Sequence, residues 1–181
     1  MIPVKKLCYL AITVCLSCSD DDNDPVTLFN DGITSSAGWD YVNTANHVGS
    51  LDATVFSSPQ NSLKIAVVDN KADGFSFWHH LINTTDVHEG AKLTLKVKVK
   101  TDNVTDEGVF VALRCDNNSQ VLAFETTQDK ITINGTTDFV EHTVEISSVP
   151  KDTNTIRVFL IMNGNSTGTA YFDDVSVSYK H

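Results

Sequence analysis

The segment Lys92-Leu93-Thr94-Leu95-Lys96-Val97-Lys98-Val99-Lys100 constrains the fold more than any other. Leu93, Leu95, Val97 and Val99 occupy every second position, with lysine or threonine between them. Successive side chains of a β-strand point to opposite faces, so this pattern predicts a strand with one dry face and one wet face. A helix, with 3.6 residues per turn, would scatter the same residues around its circumference. One-sided burial is the habit of antiparallel sheets, because parallel sheets are covered on both faces. Similar patterning predicts strands at 62–68, 75–82, 108–115, 121–125, 130–133, 139–146, 155–162 and 170–179. Past Pro25 no stretch carries helical periodicity. Asp69–Gly74, Asp102-Asn103, Asp116–Asn118, Asn134-Gly135 and Asn163–Asn165 punctuate the strands with residues that tolerate left-handed backbone or form side-chain turns. Many short strands in one domain, residues 26–181, point to an all-β, two-sheet antiparallel β-sandwich of jelly-roll type.

The N-terminus follows different rules. Lys5-Lys6 precede an apolar run from Leu7 to Leu16, then Ser17-Cys18. A short basic region, about ten apolar residues and a small residue before the cut describe a secretory signal, too short to span a bilayer. The cysteine directly after Ser17 makes residues 1–17 resemble a bacterial lipoprotein signal, which implies a lipid on Cys18. Cys15 stands where that family usually has leucine. Residues 18–25, with Asp20-Asp21-Asp22 and Asp24, read as a solvated acidic tether. They also resemble the acidic export tag of Bacteroidetes-type surface lipoproteins, which implies an outer-membrane protein exposed at the cell surface.

Losing the two signal-peptide lysines moves the net charge from −10 to −12, and no basic cluster marks a loop, so nucleic acid is a poor partner. Once Cys8 and Cys15 leave with the signal and Cys18 is lipidated, Cys115 stands alone, so the core must hold the fold without an internal disulfide.

Several segments in order resemble the jelly-roll carbohydrate-binding modules of the family 4, 9 and 22 type (CenC-type), which have a galactose-binding-like fold. They are Leu28-Phe29-Asn30-Asp31-Gly32 followed by Gly38-Trp39, then Ser58-Pro59-Gln60-Asn61-Ser62-Leu63-Lys64-Ile65, and Val149–Leu160 with Gly168–Val177. Independently, alternation in the last strand places Asp173 on the face of Val175 and Val177, where a bare carboxylate would be expensive. The resemblance implies a structural Ca²⁺ held by Asp173, Asp31 and backbone near Asn61, although Asp31 stands where the group more often has glutamate. A loop amide, or Arg157, is the metal-free alternative.

The resemblance also implies an aromatic-lined glycan site. In Phe75-Ser76-Phe77-Trp78-His79-His80, alternation separates Phe75, Phe77 and His79 from Ser76, Trp78 and His80. Phe75 and Phe77 are expected in the core, leaving Trp78 and His80 towards a ligand; packing is the alternative for Trp78. Trp39 and Tyr41, expected in a loop after the opening strand, could rim the site. Arg114, which shares a face with Phe110 and Ala112, could grip a hydroxyl or a uronate carboxylate, or pair on the surface. The lysines of 92–100 could meet an anionic polysaccharide, or simply guard an exposed strand against edge pairing. No Ser-His-Asp set, phosphate-binding glycine loop or cysteine nucleophile is recognisable, and Glu141 and Glu145 alternate with apolar residues as solvated acids do. The expected function is therefore non-catalytic polysaccharide binding, beside partner enzymes or other envelope proteins. The alternative is a structural or adhesive lipoprotein that docks another envelope protein, with a small lyase or glycosidase behind both.

Overall fold

The computed structural model describes residues 24–68, 73–83, 87–118 and 120–181. Cys18 and most of the acidic tether lie outside the described residues. Among these residues ten strands follow in order: β1 (Val26–Asp31), β2 (Trp39–Asn43), β3 (His47–Asp52), β4 (Ser62–Val67), β5 (Phe75–Asn83), β6 (Lys92–Asn117), β7 (Gln120–Thr126), β8 (Ile133–Ile146), β9 (Thr155–Asn163) and β10 (Thr169–Lys180). Among the described residues no helix is long and apolar enough to cross a membrane.

Every strand pairing is antiparallel. The long strand β6 joins the two layers. Its first half, Leu93–Val99, lies between β10 and β8. Its second half, Ala112–Asn117, lies between β9 and β7. One layer is completed by β1, β4 and β3 beyond β10, the other by β5 and β2 beyond β9. The turn expected at Asp102-Asn103 is the place where β6 passes from one layer to the other without ending. Asn103, Asp106 and Gly108 there have φ of 51°, 55° and 74°. Those residue types tolerate left-handed backbone, which bends the strand and interrupts its register with β8. At Gly108 a Cβ would lie 2.3 Å from the Ile133 carbonyl oxygen, so only glycine fits. Asn134-Gly135 likewise falls inside β8 rather than ending a strand.

Leu93, Leu95, Val97 and Val99 are wholly buried, as the alternation requires. They meet Ile156, Val158 and Leu160 of β9, Val111 and Leu113 of β6, and Phe172, Val175 and Val177 of β10 in one core. Each such side chain contributes about 1.5–3 kcal/mol by leaving water. Cys115 is buried there too, and burial pushes its thiol pKa up to about 11, an inert state.

The lysines on the wet face of β6 do not guard an edge, since β6 has neighbours on both sides. Lys92 pairs with Glu145, Lys96 with Glu141 and Lys98 with Asp174, at 2.6, 3.1 and 2.9 Å. Lys100 reaches Asp138 at 3.2 Å. The stripe is matched by cross-strand carboxylates, an arrangement that sequence spacing within one strand could not show.

Candidate functional site

The structure reverses the expected faces of β5. Trp78 is 6% exposed and belongs to the core, and its indole Nε1 donates to the Lys64 carbonyl at 3.1 Å. Phe75, by contrast, is 40% exposed on the opposite face. Alternation sorts a strand's residues into two sets without saying which set meets the other sheet. Here the set with the indole turns inward because its polar atoms find partners inside.

Trp39, Tyr41 and His80 pack on the same side as Trp78. Trp39 and Tyr41 are on β2, not in a loop, and pair with His80 and Trp78 across the ladder. Trp39 is buried, with Nε1 donating to Asp31 Oδ2 at 3.0 Å. Tyr41 tilts against Trp78 at 5.0 Å, its hydroxyl buried without a hydrogen-bond partner. His80 stacks on Phe29 at 4.1 Å and donates from Nδ1 to the Gly38 carbonyl at 2.8 Å. These rings close one part of the core and form no open binding surface.

The outward face of the β2-β5-β9-β6-β7 layer holds the residues that could act. Register brings Phe77 beside Ile161, His79 beside Phe159, Phe110 beside Ile161 and Ala112 beside Phe159. Phe110, Ala112, Phe159 and Ile161 form a second apolar cluster, with Phe77 packed on it, separate from the core. Phe75 meets Phe110 edge-on at 5.7 Å, and Phe77 meets Phe159 in the same way at 5.7 Å. With Phe124, which is 47% exposed, these rings line a trough of about 660 Å³ bordered by Arg114 and Gln128. Edge-to-face geometry accounts for how phenylalanines tile a half-wet surface.

Arg114 is where the sequence placed it, on the face of Phe110, with its guanidinium carbon 5.0 Å from the centre of the Phe159 ring. Its Nε contacts Asp116 Oδ1 at 2.9 Å. Directly across the ladder stands Arg157, which lies with Asp116 and not with the Asp173 carboxylate. Its Nε is 3.8 Å from Asp116 Oδ2 and has no hydrogen-bond partner. Both arginines border a second depression of about 480 Å³, which shares Arg114 with the trough. His79 faces the same way, with Nδ1 buried and unpartnered. Burial, then Arg157, push its pKa below the ordinary imidazole value; Arg114 and His80 add to this, and Asp40 opposes it. Spacing within single strands gives Phe159, Arg157 and His79 no role in a ligand site. The usable signal was that Arg157 and Phe159 on β9, like Arg114 and Phe110 on β6, share a parity opposite to the core residues.

The residues expected to hold calcium do not suit a cation. Asp173 is wholly buried, yet Oδ2 accepts backbone N–H bonds from Ser57 at 2.6 Å and Ser58 at 2.9 Å. Oδ1 accepts one from Asp174 at 2.8 Å. Burial raises its pKa, with the neighbouring Asp174 charge adding, against the three N–H bonds. Asp31 is occupied by the Ile33 amide and the Trp39 indole, and Asn61 Nδ2 donates to the Thr34 carbonyl at 2.9 Å. Calcium needs six to eight oxygens, whereas here N–H donors point at the carboxylates. Among the described residues no three His, Cys, Asp or Glu side chains gather as metal ligands. The loop amides meet the cost of burying Asp173, as the metal-free alternative has it, while Arg157 lies with Asp116 instead.

No family model matches the chain, and no curated protein matches it by sequence. Solved structures do match in shape. A Stig cyclase from Fischerella sp. TAU, in complex with (3Z)-3-(1-methyl-2-pyrrolidinylidene)-3H-indole, superposes with a TM-score of 0.65 at 13% identity, covering 87% of this chain and 98% of the cyclase. The CBM22-1 xylan-binding domain from Paenibacillus barcinonensis Xyn10C superposes at 0.57 with 11% identity, covering 87% of this chain and 97% of that domain. The CBM22-1–GH10 modules of a Clostridium thermocellum xylanase, complexed with xylohexaose, superpose at 0.55 with 16% identity, covering 86% of this chain and 28% of theirs. At such identities the likeness is one of fold: the chain is an antiparallel jelly-roll β-sandwich, the architecture of carbohydrate-binding modules and of the cyclases alike.

Proposed function

We propose that this protein is a lipid-anchored surface lipoprotein that binds polysaccharide without catalysing its cleavage, and that the sugar lies in the phenylalanine trough of the outer layer. One observation carries the reading: five phenylalanines and an arginine border one depression on the solvent side of a sheet. A core needs no such face, and rings with guanidinium and amide groups at their rim suit a sugar's apolar plane and its hydroxyls. The xylan-binding neighbours agree in fold. The anchor would be Cys18, and the acidic residues after it would act as tether and export tag at the outer membrane. Three acyl chains of the usual bacterial lipoprotein would hold it firmly, since one chain binds only marginally.

Docking of another envelope protein is the second reading. It is favoured by the absence of tryptophan and tyrosine from the trough and by exposed Val121, 56%, and Phe124, 47%, on β7. Affinity electrophoresis through a panel of neutral and uronic polysaccharides separates the two. Retardation by a glycan, lost in Phe77→Ala with Phe124→Ala, supports the trough. A folded protein retarded by no glycan refutes glycan binding and leaves docking. Radiolabelled palmitate tests the anchor: incorporation lost in Cys18→Ser is expected, and an unlabelled wild type would refute it.

A further inference from the structure

Two guanidiniums sit side by side at one end of the trough, at Arg114 and Arg157, and a single carboxylate, Asp116, lies between them. Their side chains are 25% and 28% exposed and that of Asp116 is 12% exposed. The side chains are thus mostly packed rather than free in water, and an unpaired polar atom in such a place is expensive. Arg114 contacts Asp116 through Nε at 2.9 Å, whereas Arg157 approaches only to 3.8 Å and keeps a buried Nε with no hydrogen-bond partner. Arg114, Arg157 and Asp116 together carry one positive charge in excess on a chain whose net charge is −10, with the Asp40 carboxylate across the ladder from His79. His79 brings a second unpartnered nitrogen to the same face, and Phe159 lies beneath the Arg114 guanidinium.

We propose that the Arg114–Arg157 pair is a carboxylate subsite, so that the polysaccharide bound in the trough is a uronic one. This rests on the glycan reading above. One sugar ring would lie on the phenylalanines, while the next presents its carboxylate to the Arg157 fork, supplying the acceptor that Asp116 does not. Arginine suits the task because its planar fork matches a carboxylate bidentately. A strongly acidic protein repels polyanions at large, so uronate binding must come from a local site of this kind.

The test is calorimetric titration of the protein with galacturonate, glucuronate and mannuronate oligosaccharides, each beside its carboxyl-reduced counterpart. At least one uronate is expected to bind about tenfold or more tightly than its reduced form, the worth of a charge-assisted hydrogen bond. Arg157→Gln should abolish that preference, with circular dichroism and melting temperature showing the variant folded. Reduced and acidic forms bound equally well, or a preference that survives both Arg157→Gln and Arg114→Gln, would overturn the subsite while leaving glycan binding intact. No binding to acidic or neutral sugars would remove the subsite and the glycan reading together.

Discussion

Replacing Trp78 by alanine tests the orientation of the whole outer layer. The indole is 94% withdrawn from solvent, being 6% exposed. An aromatic side chain of this kind buries about 200 Å², which at about 25 cal/mol per Å² is about 5 kcal/mol of transfer free energy. Mutational losses for buried aromatic-to-alanine changes run at about 3–5 kcal/mol, because the surroundings partly collapse. The Lys64 carbonyl also loses its indole donor, adding about 1 kcal/mol. An expected loss of about 5 kcal/mol follows, or roughly 10–20 °C in Tm for a domain of this size. Urea denaturation followed by far-ultraviolet circular dichroism measures it, with Phe124→Ala on the outer face as comparator. Phe124 is 47% exposed, so its truncation should lose under about 1.5 kcal/mol. If Trp78→Ala proves too unstable to titrate, Trp78→Phe should move the same way by a smaller amount. A Trp78→Ala loss below about 1 kcal/mol, smaller than that of Phe124→Ala, would mean that the indole faces solvent and that the layer has been oriented the wrong way.

Three further outcomes are expected. Asp173→Ala strands the amides of Ser57, Ser58 and Asp174 and should destabilise by about 3 kcal/mol or more, while calcium or chelator shifts the wild-type Tm by less than about 1 °C; a calcium-induced rise of several degrees that disappears in the variant would show a cation site after all. Gly168→Ala should lose more than about 2 kcal/mol, because at φ +88° its Cβ would lie 2.4 Å from the Asn103 carbonyl oxygen, whereas Gly90→Ala, at φ +86° with nothing within 4 Å, should lose about 1 kcal/mol; equal losses in urea titrations would count against the close approach. Burial pushes the pKa of His79 and of His142 below the ordinary imidazole value, with Arg157 adding at His79. The unfolded chain therefore takes up these protons more readily, so stability is complete above about pH 6.5 and declines as pH falls towards the lowered values. Melting curves between about pH 7 and pH 5 should show that decline, and a double His79→Gln, His142→Gln variant should flatten it; an unchanged slope would refute the assignment.

The sequence by itself determined the class of fold. Strict alternation over Lys92–Lys100 commits a strand to one buried side, and the buried Leu93, Leu95, Val97 and Val99 follow from it. Turn chemistry was legible as well at Asp102-Asn103, where Asn103 does adopt left-handed backbone, though not at Asp106 and Gly108, which adopt it too. Their consequence was not: the chain bends there and crosses between layers, because β9 and β7 are waiting to pair with its second half. The short strands β1, β2 and β3 carry little alternation and owe their conformation to partners distant in the chain, as β2 does to β5. The candidate site was legible only as a pair of faces on β5 and as Arg114 on the face of Phe110. Which β5 face is the core depends on what stands opposite it, and period two is blind to that. Trp78 turns inward because the Lys64 carbonyl of the other layer is there to accept its N–H. Arg157 comes to Arg114 because β9 pairs with β6 across 43 positions of sequence, a contact that only tertiary structure creates.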